Sequence, residues 1–241
     1  MGEGRGGDPL VYPRVGRVRG AVPRSSSWWG QAWVRSCEET VYDAADLVPG
    51  RALARSGRLG PVMVIDGMAS AVLDPRDPAA LLVQVRVQRL DDADWTTFTT
   101  EVAREAGRVA ALESGELPAE LVEAADAAGA ELLPGPGDLE TACPCDSWAQ
   151  PCVHALALLY QVAWHVDADP YALLLLRGRT RDQVLAAVET VPGRPVLDEE
   201  ADDAARRARV ILGLAEEAPG GHGLADRAVA SYDEEISRLL P

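Results

Sequence analysis

The sequence predicts an α+β protein: a small antiparallel sheet with helices, a short metal-binding module, and a helical C-terminal region. Three observations predict it. Between Leu59 and Leu90, short β-prone runs alternate with Asp-Gly and Asp-Pro punctuation. On either side, apolar residues recur at three, four and seven, the spacing of a helix face. Between them and the C-terminal region, three of the four cysteines and one of the three histidines crowd into the twelve residues from Cys143 to His154.

Composition bounds the rest. A chain of 241 residues with 47% apolar content buries one substantial core, or a core with a small metal-stapled module. The longest apolar runs, around Ala155–Tyr160 and Ala172–Leu176, are far short of a membrane span. The Gly- and Arg-rich N-terminus has no apolar core and does not read as a signal peptide. Clustered cysteines without a framework of pairs point to a reducing compartment, so a cytoplasmic location is expected. The net charge is −15, but it is uneven: residues 1–60 are net +3 and the remainder net −18. Phosphate neutralisation supplies essentially all non-specific affinity for DNA. Any DNA contact is therefore expected within the first 60 residues.

Taken in order, residues 1–25 form an arm rich in Gly, Arg and Pro, expected to be disordered, with Arg14, Arg17, Arg19 and Arg24 as its basic residues. Ser25–Ser27 offers N-caps for a helix through about residue 46, with Trp29 and Trp33 one turn apart as core residues. Cys37 on it reads as a buried small hydrophobe. Val62–Ile65, Ala69–Leu73 and Leu81–Val87 read as about three strands, with Asp66-Gly67 as a hairpin turn. Alternation of Gln84, Arg86 and Gln88 with Val83, Val85 and Val87 gives the last strand one wet face. Residues 93–128 return to helix and Gly129 closes them. Beyond the cysteines, Asp169-Pro170 starts a short helix, Thr180–Val191 forms another, and acidic amphipathic helices are expected over 198–217 and 224–240. The divisions drawn are 1–25, an N-terminal α+β region at 26–129, the metal module at 130–180, and a helical region at 181–241.

The metal reading rests on ligand type and spacing. Three thiolates and an imidazole, at Cys143, Cys145, Cys152 and His154, are a Cys₃His set suited to one tetrahedral zinc ion in a closed structural site. Leu132–Ala142 is expected to form a hairpin turning at Pro134–Gly137, with Cys143 and Cys145 on one face of its second strand. Cys152 and His154 are also two apart and converge only where a helix starts, an entry Pro151 suits. Ala155, Leu158, Leu159, Val162 and Val166 then mark a core-facing stripe. The alternatives are buried small hydrophobes or a disulfide with a spare thiol. A catalytic zinc needs an open position and a general base, and no histidine here is followed two residues on by glutamate. His165 reads as a surface or capping group and His222 as a solvated loop residue. Neither joins the ligands.

The Cys-x-Cys, spacer, Cys-x-His pattern of Cys143, Cys145, Cys152 and His154 resembles the SWIM zinc finger. The flanks are similar to bacterial members of that family at Leu132-Leu133-Pro134, Asp138-Leu139, Asp169-Pro170-Tyr171 and Leu176-Arg177-Gly178. Upstream, Ser27–Trp33 and Ala54–Arg58 resemble its N-terminal half. The resemblance implies a ββα-like zinc module and a non-enzymatic interaction protein, an accessory partner of a helicase-like ATPase acting near DNA through protein contacts. The alternative is direct DNA binding through the Arg-rich arm with Arg51, Arg55 and Arg58. No catalytic constellation, phosphate-cradling glycine loop or dinucleotide fingerprint is present in the sequence, so no enzymatic activity is expected.

Overall fold

The computed structural model describes residues 9–18 and 25–193, which fall in one unit, Met1–Arg194. Arg19, Arg24, His222 and the helices expected over 198–217 and 224–240 lie outside the described residues. The fold is α+β. Five strands run β1 Leu10–Tyr12, β2 Val62–Ile65, β3 Met68–Leu73, β4 Leu81–Val87 and β5 Leu139–Ala142, in that spatial order with every neighbour antiparallel. The described α-helices are α1 Trp28–Glu39, α2 Leu47–Ala54, α3 Asp92–Ala103, α4 Ala106–Glu113, α5 Ala119–Ala127, α6 Val153–Ala168, α7 Pro170–Leu176 and α8 Arg181–Thr190.

The central hairpin follows the sequence pattern. Gly67 takes the left-handed conformation, φ +73°, that the turn between β2 and β3 requires. Val83, Val85 and Val87 are buried while Arg86 faces solvent, so β4 has one dry and one wet face. The sheet is wider than expected, with five strands instead of about three. Leu10–Tyr12, in the segment read as a disordered arm, pairs with β2 as Leu10↔Val64 and Tyr12↔Val62. The hairpin expected over Leu132–Ala142 does not form. The Pro-Gly run makes a 3₁₀ turn at Pro136–Asp138, and β5 pairs instead with β4, Val87↔Leu139 through Gln84↔Ala142. The free edge of β4 satisfies the donors and acceptors of β5, which Leu132 and Leu133 do not.

The α6 helix organises the packing. Ten of its residues are buried, including Leu156, Ala157 and Gln161, which lie off the expected stripe. A helix apolar on all sides is a core helix, and α6 lies between α1 and α2 on one side and strands β2–β4 on the other. Two devices bring the helices close. Gly50 of α2 faces Leu156 so tightly that an added Cβ would stand 2.8 Å from the Leu156 Cβ. Three indoles tie α1 down: Trp33 Nε1 donates to Leu159 O (3.2 Å), Trp29 Nε1 to Val166 O (2.8 Å) and Trp28 Nε1 to Leu117 O (2.8 Å). Asp167, at the end of α6, accepts from the Ser26 and Ser27 amides at 3.1 and 2.8 Å ahead of α1. Burial would raise its carboxyl, but the hydrogen bonds from Ser27 and Ser26 outweigh that and hold it low.

The helix expected through about residue 46 ends earlier. Thr40 closes α1, and Asp43, accepting from the Ala45 amide at 2.9 Å, starts a 3₁₀ turn at Ala44–Asp46 that leads into α2. The run over 93–128 divides into α3, α4 and α5. Asp91 caps α3 through a reciprocal box with Asp94.

Arg177 is a buried cation at the end of α7, only 3% exposed. Its Nη2 donates to Glu131 O at 2.8 Å, and its Nη1 bonds Gln88 O and Asp138 Oδ2. Burial lowers its pKa, partly offset by Asp138. It thereby joins the exit of β4 to the turn entering β5. Arg177→Met keeps the length but leaves those carbonyls without a donor. We expect a loss of about 3 kcal/mol in urea unfolding, and a loss below about 1 kcal/mol would show that water replaces the guanidinium.

His165 is not a surface group. Its ring stacks on Tyr12 of β1, centroids 3.9 Å apart and planes at 11°, and Nε2 is buried without a hydrogen-bond partner. Burial pulls its pKa down to about 4. An unfolded histidine takes up its proton near pH 6.5, so between 6.5 and 4 the unfolded chain binds more protons than the folded one. Its contribution is complete above pH 6.5 and lost as pH falls toward 4. Because the ring is only partly buried, we expect about 1 kcal/mol less stability at pH 5 than at pH 7 from this group. His165→Phe keeps the stack and removes the proton site. Urea midpoints at the two pH values should therefore converge in the variant by that amount, and an unchanged difference refutes the assignment.

Candidate metal centre

The four sequence-predicted ligands come together. Ligand atoms of Cys143, Cys145, Cys152 and His154 all lie within 4.8 Å of one another. Cys143 follows the last residue of β5, and Cys145 sits in the bend after it rather than on the strand. Cys152 is the N-cap of α6, with extended backbone (φ −75°, ψ 171°), and His154 lies in the first turn. The expected convergence at a helix start is therefore met, with Pro151 one position before the cap.

One side chain joins strand to helix. Gln150 Oε1 accepts from Thr141 Oγ1 of β5 and from the Cys152 amide, both at 3.2 Å. Sequence reasoning passed over Gln150, because its role depends on a strand nine residues away. The loop is further shaped by Ser147 Oγ, which donates to Ala149 O at 3.0 Å.

In the metal-free site burial works against the thiolate at two of the three cysteines and for the neutral imidazole. A helix N-cap is normally Ser, Thr, Asp or Asn, whose oxygen accepts from the first-turn amides. Cys152 holds the cap position with no side-chain hydrogen bond to the first turn, and burial raises its thiol. Burial likewise pushes Cys143 up. For Cys145 burial also acts upward, but the Ser147 amide and the thiols of Cys152 and Cys143 outweigh it, and its pKa falls below the ordinary thiol value. His154 is lowered, first by burial and then by the charge of Arg58, with Asp74 opposing. A lowered imidazole is neutral at pH 7 and has a lone pair to give.

One separation in the site matches the edge of a tetrahedral zinc site. With metal–sulfur distances of about 2.3 Å and metal–nitrogen distances of about 2.0 Å, the edges of a tetrahedron are about 3.5 to 3.8 Å. The Cys143 Sγ···His154 Nδ1 separation is 3.7 Å. The donor set is thus one that could hold a single metal ion. Arg58, from the segment between α2 and β2, and Asp74, just after β3, form a bidentate pair with Nε to both carboxylate oxygens at 3.0 Å, and their charges act on His154. Cys37, the remaining cysteine, is buried in α1 as expected and stands apart from the cluster, its thiol raised by burial.

The arginines named from sequence are placed differently from one another. Arg51 bonds Glu38 and lies over the Tyr160 ring, 5.6 Å from its centroid. Arg55 Nε donates to Arg51 O, and Arg58 is held by Asp74. Arg14 bonds Gly57 O, with Nε at 2.8 Å, and the Val18 amide donates to Arg55 O, so part of the arm is docked against the turn that follows α2. Arg76, which sequence reasoning did not single out, joins Arg14 and Arg58 around a shallow cleft of about 540 Å³ with Asp74 and Asp77.

Among the described residues, no helix is long and apolar enough to cross a membrane. No family model matches the chain, and no solved structure does. Over 170 residues it is 29% identical to the uncharacterized protein Rv2102 of Mycobacterium tuberculosis, an alignment covering 70% of this chain. The chain is thus similar to a protein of which it spans 60% of the length.

Proposed function

We propose that the chain is a SWIM-type zinc protein: a non-enzymatic interaction module with one structural zinc ion, acting as an accessory partner of a helicase-like ATPase through protein contacts. The observation that carries this reading is the convergence of Cys143, Cys145, Cys152 and His154 to ligand distance at the start of a core helix. Four protein ligands fill a tetrahedron and leave no open position for a substrate, as in closed structural sites. When bound, the ion supplies a cross-link between the end of β5 and the start of α6. The cytoplasmic location expected from cysteine usage belongs to the same reading.

The acidic balance supports protein over nucleic acid as the main partner, since a chain at −15 repels phosphate over most of its surface. A second reading, direct DNA binding, is favoured by one observation: Arg14, Arg58 and Arg76 line one cleft, and among the described residues no carboxylate forms an ion pair with Arg14 or Arg76. The contact surface of that reading includes Arg76 and so extends past the first 60 residues.

Elemental analysis of the purified chain should find one zinc per molecule. Cys152→Ala should lower zinc content and hydrogen-exchange protection along the first turns of α6, because no site exists in the open chain and binding energy there contributes to order. Absence of stoichiometric metal refutes the zinc reading. Unchanged protection in the variant shows that α6 docks by its apolar contacts alone.

The partner is tested by co-expression with a tagged helicase-like ATPase from the same source. The chain should co-purify, with retention little changed between 50 and 300 mM salt. DNA binding through three phosphates would instead fall about 20- to 40-fold between 50 and 200 mM. Anisotropy with labelled duplex and single-stranded DNA therefore separates the two readings. Tight, salt-sensitive DNA binding that Arg76→Glu abolishes would establish the second.

A further inference from the structure

Resting on the protein-contact reading, we propose that Tyr42 and Trp148 form the docking point for a basic segment of the partner, one presenting arginine or lysine beside an aliphatic side chain. Trp148 is 80% exposed and Tyr42 76% exposed. They come from separate parts of the chain, Trp148 from the loop between Cys145 and Cys152, Tyr42 from the connection between α1 and α2. Their rings nevertheless meet edge to face, with centroids 5.0 Å apart and planes at 76°. Val48, in the first turn of α2 and six residues beyond Tyr42, is 68% exposed.

This placement differs from that of four other tryptophans. Trp33 and Trp95 are buried, and the indole N–H groups of Trp28, Trp29, Trp33 and Trp95 all donate to backbone carbonyls. Among the described residues, none accepts from the Trp148 indole. A large ring left in water with its donor free is a common form of interface anchor, since it brings apolar area and one hydrogen bond to a partner.

Charge selects the occupant. Asp43 adjoins Tyr42, Asp46 lies between Tyr42 and Val48, and Asp146 stands two residues before Trp148. Among the described residues, no arginine forms an ion pair with any of the three. Ring faces and an acidic rim attract the same species, a cation, and a guanidinium gains from both. A phosphate backbone is repelled by the rim, and a second copy of this chain would bring its own aspartates against it. Two such rings bury about 300 to 500 Å² when covered. That is enough for a hot spot within a small transient interface.

The test uses the full chain loaded with zinc and labelled with ¹⁵N at the tryptophan indoles. The probe is a synthetic peptide alternating arginine and leucine. Controls are the glutamate–leucine peptide and single-stranded DNA. The Trp148 indole resonance, identified by its absence from Trp148→Phe, should shift on titration while that of buried Trp33 does not. Binding should weaken about tenfold in Trp148→Ala, and comparably in the double variant Asp43→Asn with Asp146→Asn, which keeps both rings. A Trp148 resonance that the arginine peptide leaves unmoved, or that glutamate–leucine peptide or DNA moves equally, overturns the proposal. A helicase-like ATPase that co-purifies as well with Trp148→Ala also removes this site while leaving the adaptor reading. An ATPase that fails to co-purify with the unaltered chain removes that reading itself.

Discussion

The burial of α6 on all sides is the constraint on which the rest of the described fold depends. A sixteen-residue helix with almost no wet face must be covered by several elements at once. The sheet supplies one cover and α1 with α2 the other, and the glycine at position 50 sets how near the second can come. The same helix carries two of the four candidate ligands in its first residues. A displacement of the core would therefore displace Cys152 and His154 directly. The centre inherits its geometry from packing as well as from the ligands' own chemistry.

Much of this was legible in the sequence, and the rest was not for physical reasons. The ligand set could be read because two-residue spacing and a proline-marked helix start are local features, as is the turn at Asp66-Gly67. The hairpin at Leu132–Ala142 misled because a Pro-Gly run announces a turn without specifying the strand's partner. The choice of β4 for β5 was made by an unsatisfied edge some fifty residues upstream. The three-residue β1 is too short to show a period, and Pro, Gly and Arg around it mimic a disordered arm. In the sequence Arg177 stands out only within the flanking Leu176-Arg177-Gly178, with no structural role assigned to it. Its three carbonyl and carboxylate partners lie far away in sequence and leave no local mark.

The charge of the molecule is organised more finely than its total. Buried or bridging cations such as Arg177 and Arg58 hold segments together, while Arg14 and Arg76 face a cleft shared with two aspartates. The aromatic pair lies instead beside aspartates that no described arginine engages. A net charge alone therefore describes neither surface, because each element end contributes its own sign.

Among the described residues β1 and β5 are the outer strands of the sheet, and both are short, with three and four residues. An exposed edge is a template for pairing with another chain, and brevity is one way to blunt it. Here the two outer strands are held by contacts outside the ladder: β1 by the stack of Tyr12 on His165, β5 by the run into Cys143 and by Gln150. Loosening either hold would uncover the longer edge of β2 or β4 behind it. The ring stack and the ligand loop thus serve as guards against intermolecular sheet growth, and colloidal behaviour should follow their integrity more closely than it follows global stability.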